Sequence, residues 1–197
     1  SAYADAGAAA LSVLTDNNFF GGSLQDLIRV RQTNALPLLR KDFILSEYQL
    51  FEAKACGADA VLLIAAALTK NQILELAASA KKMGLEVLFE IHREAELEKL
   101  NEYIDLVGVN NRDLQTFKVS IENSVRLSKS IPDDFVKISE SGIKHPENIA
   151  ELRAHGYKGF LTGQLFMQNQ NPGRACQAFI NNLRNYKPIN KNKDYEN

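Results

Sequence analysis

A lysine and a glutamate carry the first chemistry that the sequence offers. Lys41 closes the run Leu38-Leu39-Arg40-Lys41, and Glu90 closes Val87-Leu88-Phe89-Glu90. Successive side chains of a strand point to opposite faces, so Lys41 shares a face with Leu39, and Glu90 with Leu88. With those leucines inside a closed sheet, the ammonium and the carboxylate stand at its mouth as proton donor and acceptor. A structural ion pair fits the spacing equally well. In Asn110-Asn111-Arg112-Asp113, Asn110 could hydrogen-bond a substrate hydroxyl and Arg112 could buttress the site by pairing with a neighbouring carboxylate, or the segment could be a solvated loop. Ser141-Gly142-Ile143 and Thr162-Gly163-Gln164 place glycine at strand ends, where backbone N–H groups can approach an anion. Phe43 suits either stacking on an aromatic substrate or core packing. His145, beside Pro146, and His155, before Gly156, read as structural or solvated; His92 reaches the rim two residues beyond Glu90, without any partner spacing that suggests a metal.

These residues need strands to hold them, and the sequence supplies seven. A helix ending at Gly and passing quickly into an apolar run recurs before Leu11–Leu14, Val61–Ile64, Val87–Phe89 and Phe160–Leu161. Leu36–Leu39, Leu106–Val109 and Phe135–Ile138 complete the set. Between the strands, Ile73, Leu76, Ala77 and Ala80 hold helical spacing behind Thr69, a candidate N-cap. Leu97, Leu100 and Ile104 repeat that spacing, as do Ile149 and Leu152 behind Pro146. A final helix is expected over roughly Ala175 to Leu183, and a flexible tail over 185–197. Strand–helix alternation implies a parallel sheet. Five of the seven strand ends carry polar or charged residues, which favours a (β/α)8 TIM barrel with its site at one rim over an open sheet with a single switch point.

With 45% apolar residues, the chain is rich enough to bury a single core, spanning residues 1–184. Lys and Arg number 23 against 24 Asp and Glu, so no basic field favours nucleic acid. No apolar run approaches the ~20 residues of a membrane span. Cys56 and Cys176 lie outside any metal-ligand spacing and read as reduced thiols of a cytoplasmic protein.

The assembled motifs resemble the indole-3-glycerol phosphate synthase family. The resemblance rests on Gly7-Ala-Ala-Ala-Leu-Ser-Val-Leu-Thr-Asp16, Phe19-Phe20-Gly21-Gly22-Ser23-Leu24 and Leu38-Leu39-Arg40-Lys41-Asp42-Phe43-Ile44. It continues through Gly57-Ala-Asp-Ala-Val-Leu-Leu-Ile64, Leu85-Glu86-Val87-Leu88-Phe89-Glu90, Gly108-Val109-Asn110-Asn111-Arg112-Asp113-Leu114 and Ser139-Glu140-Ser141-Gly142-Ile143. It implies closure of a carboxylated anilino deoxyribulose phosphate to an indole, with loss of carbon dioxide and water and no cofactor. Lys41 then corresponds to the general acid, Glu90 to the proton acceptor, Asn110 to a residue on the substrate hydroxyls and Arg112 to its support. Ser141, Gly142, Gly163 and Gln164 correspond to phosphate-binding positions, and Phe43 to the pocket for the aromatic ring. The chain departs from the family at Gly163-Gln164-Leu165-Phe166-Met167, where a side-chain hydroxyl is lost. The resemblance also sets the start of this sequence after the family's N-terminal helix and first strand, so seven strands with exposed edges and self-association through those edges are expected. A silent fragment is the alternative to an active enzyme. A phosphoribosylanthranilate isomerase is a further one, disfavoured by Lys41-Asp42-Phe43 and Glu90.

Overall fold

The computed structural model describes residues 2–113, 116 and 118–186. Helix α1 (Ala2–Asp5) leads to strand β1 (Leu11–Leu14), and α2 (Asn17–Phe20) and α3 (Leu24–Thr33) lead to β2 (Leu38–Lys41). Then follow α4 (Glu47–Ala55), β3 (Ala60–Ile64), α5 (Lys70–Lys82), β4 (Glu86–Ile91) and β5 (Leu106–Asn110). The remainder is α6 (Glu122–Leu127), β6 (Val136–Glu140), α7 (Pro146–Ala154), β7 (Tyr157–Leu161), α8 (Gln164–Met167) and α9 (Pro172–Asn185). The seven strands pair in sequence order, every pair parallel, and β1 and β7 form the two edges of the described sheet.

The sheet curls. Strands are spaced about 4.8 Å apart, so β2 and β6, four spacings apart, would lie roughly 19 Å from each other if the sheet were flat. Yet the side chains of Lys41 on β2 and Glu140 on β6 meet at 3.1 Å. Only a sheet bent toward a barrel brings them together. Helices cover its outer face, where Leu38, Val61, Leu63, Val87, Phe89, Val107 and Val109 pack with Leu27, Leu50, Ile73, Ala77 and Leu152 of the helices. Burial of each of the larger side chains stabilises by about 1.5–3 kcal/mol.

Local signals fix several boundaries. Thr69 caps α5, accepting from the Gln72 N–H, and Pro146 occupies the first turn of α7. Other boundaries differ from the sequence expectation. Strand β2 starts at Leu38 rather than Leu36, because Pro37 has no N–H to donate and the Leu36 backbone is bound instead by Arg31 and Asn34. The helical spacing at Leu97, Leu100 and Ile104 yields a 3-10 segment over Glu94–Lys99. Asn101 ends it by accepting the Tyr103 N–H, a local turn that competes with helix. Helix α9 extends the expected Ala175–Leu183 segment at both ends. Leu114 and the tail from 187 onward lie outside the described residues.

Candidate active site

Strands β2 and β6 end in a charged residue turned to the concave face, and β4 carries one just before its last residue. Lys41 Nζ lies 3.0 Å from Glu90 Oε2 and 3.1 Å from Glu140 Oε2. Both carboxylates are buried, with side-chain exposures of 4% and 1%. The single ammonium therefore faces two carboxyl groups in a poorly solvated place. Burial opposes charge on Lys41, but attraction from Glu140 and Glu90 outweighs it and raises the Lys41 pKa. Burial likewise pushes Glu90 up, and Lys41, His92 and the Asn110 amide outweigh it, holding Glu90 below the ordinary carboxyl value. For Glu140 burial prevails: Lys41 pulls down and Glu90 pushes up, and the group is raised to about 7. Its Oε1 has no hydrogen-bond partner. Glu140 sits where it does because Gly108, opposite Glu90 in the register, has no side chain; a Cβ there would collide with Glu140 Oε1.

In the sequence, Glu140 stands out only as part of the motif Ser139-Glu140-Ser141-Gly142-Ile143, with no role of its own. The mid-strand glycine of Leu106-Val-Gly-Val-Asn110 was the available signal, since it marks a close approach whose partner only the curl reveals. The neighbouring rim residues Arg40 and Asp42 face the other way. Arg40 donates to Asp42 Oδ2 at 2.9 Å, to the Gln49 carbonyl at 2.7 Å and to Thr15 Oγ1 at 3.1 Å, while Thr15 donates to Asp42 at 2.6 Å.

Asn110 and Asn111 divide their work. Asn110 accepts from the Arg112 N–H and its amide supports Glu90. Asn111 is buried and donates to Ser139 Oγ and the Ser141 carbonyl, while its own oxygen accepts from the Ser124 N–H and hydroxyl. This anchors the turn after β6, where Ser141 (φ 66) and Gly142 (φ 77) are both left-handed. A non-glycine residue in that region is strained and persists only when its surroundings hold it. Gly163 caps α8 at the end of β7. Arg112 donates to the Gln164 amide oxygen at 2.8 Å, a neutral partner across the mouth where a carboxylate was expected.

Phe43 lies at the rim, and the structure adds two aromatic residues to it. Asp16 caps α2 by accepting from the Phe19 N–H, which sets Phe19 and Phe20 over Phe43 at ring-centroid distances of 5.7 and 6.3 Å. Phe19 and Phe20 remain exposed, an apolar surface beside the charged cluster. An open cleft of about 830 Å³ flanks β4 and β5, lined in part by His92, Arg93, Asn110, Arg112 and Arg126. Among the described residues, no group of three or more His, Cys, Asp or Glu is placed to hold a metal ion.

Residues 1–179 match the sequence model of the indole-3-glycerol phosphate synthase family. The chain belongs to that family. An indole-3-glycerol phosphate synthase of Bacteroides thetaiotaomicron is 53% identical over 178 residues, covering 90% of this chain and 68% of the relative. One from Koribacter versatilis is 48% identical over 177 residues, covering 89% and 68%. The chain thus spans about two thirds of these indole-3-glycerol phosphate synthases, carboxy-lyases of tryptophan biosynthesis. Among solved structures, 3-hexulose-6-phosphate synthase of Salmonella typhimurium superposes with a TM-score of 0.73 at 14% identity, covering 89% of this chain and 87% of that one. A structure named KGPDC from Streptococcus mutans gives 0.70 at 12% identity, covering 93% and 90%. At such identities the likeness is one of fold, and it agrees with a (β/α) barrel of seven described strands.

Proposed function

We propose that this chain carries the proton-transfer site of the family's ring closure: conversion of 1-(2-carboxyphenylamino)-1-deoxyribulose 5-phosphate to indole-3-glycerol phosphate. The observation that carries this reading is the contact of Lys41 with Glu90, the donor–acceptor pair expected from strand parity. The reaction needs an acid as the carboxylated ring carbon attacks the ketone and negative charge develops on the ketone oxygen. Lys41 serves as that acid. Between two carboxylates it stays charged, and an alkoxide is a stronger base than either, so its proton moves downhill once Nζ turns to the substrate. Carbon dioxide leaves from the same ring carbon. Lys41, reprotonated from solvent, then protonates the departing hydroxyl so that it leaves as water, and Glu90, held ionised, accepts the proton lost as dehydration completes the indole. Glu140 keeps Lys41 protonated and in place, and Asn110 binds the substrate hydroxyls with Arg112 as support.

The turn at Ser141-Gly142 and the start of α8 at Gly163-Gln164 take the phosphate through backbone N–H groups. The Gln164 side-chain oxygen is occupied by Arg112 and leaves that task to the backbone. Phe43, joined by Phe19 and Phe20, receives the aromatic ring. Anchoring phosphate and ring at opposite sides of the mouth holds the two reacting carbons together, which lowers the entropic part of the barrier. Two free thiols, Cys56 and Cys176, suit a reducing cytoplasm. The edge strands β1 and β7 offer backbone groups to a second copy.

The test is a fluorescence assay of the chain with the anilino deoxyribulose phosphate. The sequence contains no Trp, so indole emission reports product directly. Turnover supports the reading; bound substrate that is never converted overturns it for this chain.

A further inference from the structure

We propose that His92 is a positioning residue for Glu90, holding the second oxygen of the carboxylate that Lys41 leaves unbound. The inference rests on the reading of Glu90 as proton acceptor. His92 follows Ile91 at the end of β4 and returns to the face that bears Glu90. Its Nε2 lies 3.6 Å from Glu90 Oε1, whereas Lys41 holds Oε2. The side chain is 10% exposed, and neither Nδ1 nor Nε2 has a hydrogen-bond partner. A buried imidazole is costly without partners, and the nearest carboxylate oxygen is only a few tenths of an ångström beyond hydrogen-bonding range.

The backbone around the ring is fixed on both sides. Glu96 accepts from the His92 N–H at 2.7 Å, and the Asn123 amide donates to the carbonyls of His92 and Asn110. These bonds set the ring beside Glu90 and leave a small side-chain rotation as the movement that closes the Nε2–H···Oε1 bond. The groups facing Glu90 are then Lys41 from β2, Glu140 from β6, the Asn110 amide from β5 and His92 from its own strand. Of the three partners that carry an N–H, Lys41 departs when it turns to the substrate, and the Asn110 amide and His92 stay. His92 keeps the carboxylate ionised and fixes which oxygen faces the mouth. Arg93, Glu96, Arg112 and Arg126 line the adjoining cleft, and their charges bear on His92 from the solvent side.

The experiment compares the wild-type chain with His92→Phe, which keeps a ring and removes the N–H, and with His92→Gln, which restores an N–H. The pH profile of kcat is measured together with the ¹³C titration of the Glu90 carboxyl in the substrate-free chain, assigned with Glu90→Gln. In His92→Phe the acid limb and the Glu90 midpoint are expected to move up by about one pH unit, a roughly tenfold loss of turnover on that limb, with KM within about twofold. His92→Gln is expected to return both to the wild-type position. An unmoved midpoint in His92→Phe overturns the assignment, as does a His92→Gln midpoint displaced from wild type, which judges it even when the Phe variant does not fold. If the wild-type chain shows no turnover, the proposed function fails, and the Glu90 titration alone still decides the role of His92.

Discussion

Arg40 and Lys41 are neighbours on one strand, and they make opposite use of buried charge. Arg40 faces the helical layer, where its guanidinium meets Asp42, Glu52, Thr15 and the Gln49 carbonyl, and Thr15 closes the ring by donating to Asp42. Lys41 faces the mouth, where one ammonium serves two carboxyl groups, Glu140 Oε1 has no partner and both His92 nitrogens are bare. Satisfied charge of the first kind is structural and inert. Incompletely satisfied charge of the second kind stores the free energy differences that proton transfer draws on. Burial alone does not tell the two apart; the count of partners does.

The contrast is broken most severely from the Lys41 side. Lys41→Ala should lower kcat per folded molecule by about 10²–10⁴-fold, since a general acid supplies rate of that order, and should also lower the unfolding midpoint, because Glu90 and Glu140 lose their buried counter-charge. Near-normal turnover would remove Lys41 as the acid and leave it a structural ion pair. From the other side, Arg40→Met should cost about 3–5 kcal/mol in urea unfolding, because Asp42 is left buried and unpaired. Its kcat per folded molecule should hold; a loss of kcat comparable to that of Lys41→Ala would show that the two faces are not separable.

Glu140→Gln sharpens the comparison through pH. The folded pKa of Glu140, about 7, is above its ordinary value of 4.5, so the folded chain binds more protons than the unfolded chain between those values. The stability contributed by this group is present below about 4.5 and is lost as pH rises toward 7. The stability of the wild type relative to Glu140→Gln should fall over that window by up to about 3 kcal/mol, measured by urea denaturation at several pH values. A difference independent of pH would mean that Glu140 is ionised throughout. The smallest effect is expected at the phosphate end. A Cβ on Gly163 meets only the flexible Met167 tip, so Gly163→Val should fold, yet raise KM about tenfold by keeping the phosphate from the backbone. An unchanged KM would sink that site.

Much of this was legible in the sequence because it is local. Parity along Leu39-Arg40-Lys41 and Leu88-Phe89-Glu90 placed Lys41 and Glu90 on one face, and their 3.0 Å contact agrees. The same parity sets Arg40 and Asp42 on the reverse face, where they pair with each other. Thr69 and Pro146 announced their helices through capping chemistry that needs only the next turn. What was hidden depends on distant chain. Glu140 joins the cluster through sheet curvature and the clearance above Gly108, and Phe19 and Phe20 reach Phe43 through the fold of the segment after β1. The segment ending at Ile104 misled because apolar spacing does not report the Asn101 turn that interrupts it.

The Lys41–Glu140 contact closes 99 residues of chain. Contacts so far apart in sequence carry a large loop-closure cost and form only when the intervening structure rewards it. Every strand from β2 to β6 must be docked, in register and bent before the ammonium meets its second carboxylate. A partly folded chain can hold helices, even a flat run of paired strands, without owning this charge cluster. Appearance of the cluster is therefore a late event in folding, and the abnormal Glu140 titration, followed during refolding, would mark the moment at which the sheet has curved.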